Sequence, residues 1–301
     1  MVPQSPLSIT VNHRFRGPAT SGNGGYTAGR LAACVLRDGL GEDVSTPVTV
    51  TLRRPPPLDE AMEARPGSTD ADKDVEMWYG DQLVASASPG TFSSGAVDPV
   101  DFGSATAARS AYQGDTEHPF PGCFVCGPAR HPGDGMRLMP GLIDTGRTAC
   151  IWVPDPSLVT GDDRSVVGVE FGWAALDCPG GWTSDLERRP MVLGRMTAHC
   201  VSPPRVGRPH VVVGRLLGEE GRKTFTATSL YDDGQLVGRA EHTWIAVDPA
   251  AFNTRPSVTF PRPSVTFDPT IRRFPPDDAL PLRDDVSPVF LEDRWPPPSR
   301  P

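Results

Sequence analysis

The sequence has 301 residues, with 37 acidic side chains against 29 basic ones and a net charge of −8. That length suggests about two domains of roughly 150 residues, and enough chain to bury a core without disulfide staples. The acidic balance, with no basic run, argues against a nucleic-acid partner, and 38% hydrophobic with 22% charged residues excludes a membrane protein and a wholly disordered chain.

The N-terminal stretch MVPQSPLSITVNHRF has neither a charged leader nor an apolar run, so no signal peptide is predicted. No stretch approaches the roughly 18 apolar residues of a membrane helix, so no membrane span is predicted. The first helix is predicted over residues 26–37 (YTAGRLAACVLR), entered from the loop Ser21-Gly22-Asn23-Gly24-Gly25. Leu31, Val35 and the alanines between them give an apolar stripe with small residues for close packing. A strand at 48–58 (VTVTLRRPPPL) runs into prolines, and a hairpin at 77–87 (MWYGDQLVASA) turns tightly at Tyr-Gly-Asp-Gln.

The pattern then returns. A second helix is predicted over 169–178 (VEFGWAALDC), stopped by Pro179-Gly180-Gly181. A strand at 196–206 (MTAHCVSPPRV) again ends in Pro-Pro, and a hairpin at 229–240 (SLYDDGQLVGRA) turns at Asp-Asp-Gly. Alternating apolar residues mark half-buried strands. The chain therefore reads as an internal repeat of α+β units, each a strand, one helix and about three antiparallel strands. From Pro249 onward proline recurs every few residues and RPSVTF occurs twice, at 255–260 and 262–267. Such a tail cannot offset the entropy of ordering from its own apolar content. It is predicted to be disordered or polyproline-like, a tether or a strap, with a ligand for a proline-reading domain as the sharper alternative. The six cysteines mostly sit in apolar runs, where free Cys packs as a small hydrophobe, which predicts a reducing cytoplasm.

Three stretches resemble acyl-CoA thioesterase-like double-hotdog proteins of the thioesterase superfamily. Phe15-Arg16-Gly17-Pro18 followed by Ser21-Gly22-Asn23-Gly24-Gly25-Tyr26 resembles their N-terminal half, where a glycine-rich loop opens the central helix. Trp173-Ala174-Ala175-Leu176-Asp177 resembles the acid-bearing helix of the companion half, and Cys123-Phe124-Val125-Cys126-Gly127 through Gly141 resembles the opening of actinobacterial-type members. The resemblance implies a double hotdog of two antiparallel sheets, each wrapped on one central helix. It places the hotdogs at 8–108 and 118–248, with the tail at 249–301. It further implies an acyl-CoA or acyl-carrier thioester as substrate, an apolar tunnel between the two central helices, and no cofactor. A monomer and a homodimer of such units are both compatible with it.

Thioester hydrolysis needs a base or carboxylate nucleophile, and donors aimed at the carbonyl oxygen. Asp177 is the candidate base, because an aspartate inside an apolar run needs a reason and burial raises its pKa toward a useful range. A helix-end aspartate facing solvent is the alternative. The amides of Gly24 and Gly25, with Asn23, are the candidate oxyanion donors at a helix N-terminus; a plain turn and N-cap is the competing reading. Trp173 stands next to Asp177 as a substrate-binding candidate, and Glu170 ranks below Asp177 because the helix dipole already favours an acid there. Thr197 and His199 share one strand face and are candidate helpers, whereas His242 faces the other way from Glu241 and Thr243. By resemblance His242 takes the place of an amide-bearing helper, where a histidine is a departure. A lone strand histidine is otherwise a structural residue.

His118, Cys123, Cys126 and His131 spell H-x4-C-x2-C-x4-H. A single C-x-x-C flanked by Phe124 and Val125 reads more readily as a core turn, so no metal is assigned. The absence of G-x-S-x-G, P-loop, G-x-G-x-x-G and H-E-x-x-H patterns removes the commonest hydrolase, nucleotide and metalloprotease readings. The leading expectation is a thioester hydrolase. The alternatives are a non-catalytic acyl-CoA-binding hotdog protein, or an enoyl hydratase or dehydratase that pairs Asp177 with His199 or His242.

Overall fold

The first half of the chain runs β1 (Leu7–Thr10), α1 (Gly24–Arg37), β2 (Val48–Leu52), β3 (Ala61–Pro66), β4 (Val75–Tyr79) and β5 (Gln82–Pro89). A connecting segment carries the short helix α2 (Phe102–Ala108), capped by Asp101. The second half runs β6 (Gly141–Asp144), β7 (Arg147–Trp152), α3 (Val169–Gly181), β8 (Met191–Cys200), β9 (His210–Glu220), β10 (Lys223–Asp232) and β11 (Gln235–Ala246). These elements come from a computed structural model, which describes residues 7–37, 46–67 and 74–253. The described residues belong to one compact unit.

All eleven strands form one sheet in the order β1-β3-β4-β5-β2-β8-β11-β10-β9-β7-β6. The expectation of two antiparallel sheets is corrected. β2 and β8 pair antiparallel, with Val48 opposite Ala198, Thr49 opposite Thr197 and Val50 opposite Met196. Left unpaired, each would be an exposed edge with a row of open N–H and C=O groups, and the seam removes both edges. Val48, Val50, Met196 and Ala198 are buried toward the helices. On the other face the Thr49 and Thr197 hydroxyls meet at 2.8 Å across the seam. Both predicted hairpins form. Asp233 and Gly234 take φ of +48° and +76°, as a two-residue hairpin loop with two left-handed residues requires.

α1 starts two residues earlier than predicted, because Asn23 caps it: its side-chain oxygen accepts the Tyr26 N–H at 2.8 Å. α3 does not stop at Pro179 but continues to Gly181. Its terminal carbonyls are taken up by threonines: Thr148 donates to Pro179 O, Thr228 to Leu176 O and Thr183 to Gly180 O, each at 2.7 Å. These bonds satisfy groups that a helix end otherwise leaves open, so the helix tolerates a proline in its last turn.

α1 and α3 touch through glycines. A Cβ on Gly25 would lie 2.5 Å from Asp177 Cβ, and one on Gly29 would lie 2.7 Å from Glu170 Cα. Backbone-to-backbone approach at these two positions is what lets the helices share one core between them. Ala250–Asn253 form one helical turn, so the start of the expected tail is ordered; the rest of that tail, from residue 254, lies outside the described residues. Among the described residues no helix is long and apolar enough to cross a membrane.

Candidate active site

The loop before α1 is held in place by its backbone: Asn23 N–H donates to Phe15 O at 2.8 Å and Gly22 N–H to Pro56 O at 2.9 Å. With Asn23 so fixed, its side chain works at both ends. The oxygen caps α1, and the amide Nδ2 donates to Asp177 Oδ2 at 2.9 Å. The same Oδ2 accepts the Gly25 N–H at 3.0 Å. The acid of the second half thus sits on the N-terminus of the first half's helix, where open amides and the helix dipole favour an anion.

Asp177 is 2% exposed, and its other oxygen, Oδ1, is buried without a hydrogen-bond partner. Burial pushes its pKa up to about 7; the Gly25 N–H pulls against this, Cys123 adds to it, and the Asn23 amide again opposes it. Of the residues singled out in the sequence, the structure brings Asp177, Asn23 and the glycine loop together. Sequence reasoning erred on the Gly25 amide, which is engaged by Asp177 and so is not available to an oxyanion. The Gly24 amide, the first of the helix, has no acceptor among the described residues and borders the cavity.

That cavity measures about 250 Å³. It does not run between the two helices as expected, because Gly25 and Gly29 let them close on each other. It lies at the N-terminal end of α1, where Asn23, Gly24 and Asp177 form part of one wall. Leu186, Met191, Leu193 and Trp244 make the lining largely apolar, and the exposed Arg53 and Arg54 border it. The two arginines enter no ion pair among the described residues. Sequence reasoning missed them, although Leu-Arg-Arg-Pro-Pro-Pro at the end of a strand was a visible signal. It also missed Cys178, whose adjacency to Asp177 was equally visible.

The remaining candidates are not brought to Asp177. Trp173 is buried against α1, its Cβ facing Gly29, and does not line the cavity. The β8–β11 register pairs Thr197 with Glu241, and His199 with Arg239, on the sheet face away from the helices, so neither reaches the acid. Their positions follow from strand alternation, which sequence reading applied correctly without knowing which face met the helix.

His242 does face the helix, but beside Gly180, where its Nδ1 pairs with Thr226 Oγ1 at 3.2 Å. Its Nε2 is buried without a partner. Burial pulls its pKa down to about 4, which keeps the ring neutral. In the unfolded chain the ordinary value is near 6.5. Between the two values the unfolded chain binds a proton that the folded chain refuses. Stability is therefore full above pH 6.5 and falls as pH drops toward 4, by about 3 kcal/mol from this group. A His242→Gln variant should lose that pH dependence, so the unfolding free energy from urea titration, parent minus variant, should be about 3 kcal/mol greater at pH 7 than at pH 4. Parallel curves would contradict it.

No family model matches the chain, and no curated protein matches it. Solved structures do. The tesB protein of Mycobacterium avium subsp. paratuberculosis is 11% identical, aligned over 82% of this chain and 95% of its own, with a TM-score of 0.50. A provisionally named thioesterase II from Thermobifida fusca is 12% identical over 82% and 94%, with a TM-score of 0.49. A hot-dog-fold protein of unknown function from Alicyclobacillus acidocaldarius is 11% identical over 83% and 96%, with a TM-score of 0.46. At such identities the likeness is one of fold. Two helices laid side by side against one continuous antiparallel sheet make this chain a double hotdog.

Proposed function

We propose that the chain hydrolyses acyl thioesters, with Asp177 as the base. One observation supports this reading above the others. A buried carboxylate of one half is gripped through a single oxygen by the Gly25 N–H and the Asn23 amide of the other half, while its second oxygen has no partner, at the wall of a largely apolar cavity. A structural acid would have both oxygens satisfied, since leaving one buried and open costs about 1–3 kcal/mol or more.

In this reading the acyl chain occupies the apolar lining. Asp177 Oδ1 takes a proton from water as the water oxygen bonds to the carbonyl carbon. The Gly24 amide faces the charge that develops on the carbonyl oxygen. Collapse of the tetrahedral intermediate breaks the C–S bond, and the proton held by Asp177 leaves with the thiol. Arg53 and Arg54 supply cations for the phosphates of a coenzyme A substrate.

Release of free thiol from a panel of acyl-CoA substrates, read beside hydration of enoyl-CoA, tests this directly. Thiol release with no hydration is expected. Hydration alone would replace the reading with a hydratase, and binding without either reaction would replace it with an acyl-CoA carrier. The arginines give a separate prediction. The pair Arg53→Ser and Arg54→Ser should raise KM for acyl-CoA about tenfold, at about 0.7 kcal/mol per exposed charge, and leave the matching acyl-pantetheine unchanged. An equal rise for both substrates would contradict the phosphate role.

A further inference from the structure

Beside Asp177 the fold assembles a second group of side chains that the hydrolytic reading does not use. The sulfur atoms of Cys123, Cys126 and Cys178 all lie within 4.8 Å of one another, and Cys123 and Cys178 are 3.8 Å apart. All three are buried and all three border the cavity. Two come from the connecting segment and one from α3, so the group exists only after the chain has closed on itself.

We propose that Cys123, Cys126 and Cys178 bind a zinc ion as three thiolates, with the fourth ligand drawn from the cavity. The Cys123–Cys178 separation of 3.8 Å fits, since with Zn–S bonds of about 2.3 Å a tetrahedral ion holds its sulfurs about 3.8 Å apart, and the Cys126 sulfur lies within 4.8 Å of both. The local backbone fits as well. Cys123 N–H donates to Phe120 O at 2.9 Å and Gly127 N–H to Cys123 O at 2.9 Å, a tight turn that aims both sulfurs of the C-x-x-C one way. Gly127 is required there, because a Cβ would lie 2.4 Å from Pro121 O.

The surroundings favour thiolates. His118 Nδ1 accepts the Phe120 N–H at 2.9 Å, so the neutral ring carries its proton on Nε2, which lies 3.3 Å from Cys126 Sγ. His118 therefore donates to a thiolate and is not itself a ligand, the supporting role that neighbours of metal ligands commonly take. The Trp182 ring packs on His118 at 5.1 Å between centroids, and its buried N–H has no hydrogen-bond partner. His131, the fourth member of the sequence pattern, is exposed, and Cys178 stands in its place.

The site does not depend on the hydrolytic reading, and its test reads no activity. The full chain is purified under reducing conditions, its zinc is counted by mass spectrometry, and the ion is exchanged for cobalt. One zinc per chain is expected, with a tetrahedral cobalt spectrum whose sulfur charge-transfer intensity corresponds to three thiolates. Cys178→Ser should lower that intensity by a third and weaken zinc binding about tenfold or more, whereas Cys150→Ala, at a buried cysteine outside the group, should change neither. Cys126→Ser gives the same reading if Cys178→Ser does not fold. A protein without zinc that takes up no cobalt would overturn the proposal. So would a disulfide between any two of the three cysteines in the protein as isolated, or undiminished cobalt binding by the variants.

Discussion

Replacing Asp177 by asparagine should lower thioester turnover by about 10²–10⁴-fold, the usual contribution of a positioned base. The substitution keeps the shape of the side chain. The asparagine oxygen can still accept from Gly25 N–H and the Asn23 amide, the two bonds that Oδ2 makes at 3.0 and 2.9 Å. What changes is the second oxygen, which becomes an NH2 group without basicity. A buried charge also disappears, so the fold should not weaken, and a thermal midpoint equal to or above that of the parent is expected. The diagnostic is a collapse of kcat with KM nearly unchanged, since no substrate-binding group is removed. Turnover within a few-fold of the parent would remove Asp177 from the chemistry.

Gly25→Ala should have the next largest effect. Its Cβ would stand 2.5 Å from Asp177 Cβ and 2.9 Å from Trp173 O, distances that real side chains do not adopt. Neither neighbour is a flexible chain end, so α1 and α3 must move apart. Overpacking of this kind costs about 1–3 kcal/mol, partly offset by the roughly 1 kcal/mol that alanine gains over glycine inside a helix. Activity should suffer more than stability. A displacement of about 1 Å at the reacting groups lowers rates about a hundredfold. Because Gly25 acts through Asp177, the double variant Gly25→Ala with Asp177→Asn should turn over no more slowly than Asp177→Asn alone. Multiplying losses would mean that Gly25 serves the substrate by itself.

The sequence and the structure agree where local chemistry decides the outcome. The two helices, the two hairpins and the strands leading toward each Pro-Pro were legible, although β2 ends at Leu52 and β8 at Cys200, short of the prolines, because apolar periodicity and turn residues are local signals. Asp177 and Asn23 were legible for a related reason: an acid in an apolar run and a polar cap after glycine are both conspicuous. What failed depended on contacts between distant parts of the chain. Pairing of β2 with β8 made one sheet of an expected two. The approach of Gly25 to Asp177 closed the expected tunnel and engaged an amide assigned to the substrate. Threonines from the sheet carried α3 through a proline that reads as a stop. The face of β8 that meets the helices left Thr197 and His199 on the wrong side. Cys178 lay 52 residues beyond Cys126 in sequence, so spacing could not join it to the C-x-x-C, although the fold brings their sulfurs together.

On the reading proposed here, the carboxylate of one half and the helix N-terminus of the other form a single site for an acyl thioester. A crystal structure with an acyl-CoA thioether, in which a methylene beside sulfur prevents cleavage, tests it most directly. The ketone carbon is expected about 3–3.5 Å from Asp177 Oδ1 or from one water bound to it, its oxygen toward the Gly24 amide, and the phosphates near Arg53 and Arg54. A ligand seated on the outer face of the sheet, or in the cavity with its carbonyl turned away from Asp177, would contradict it.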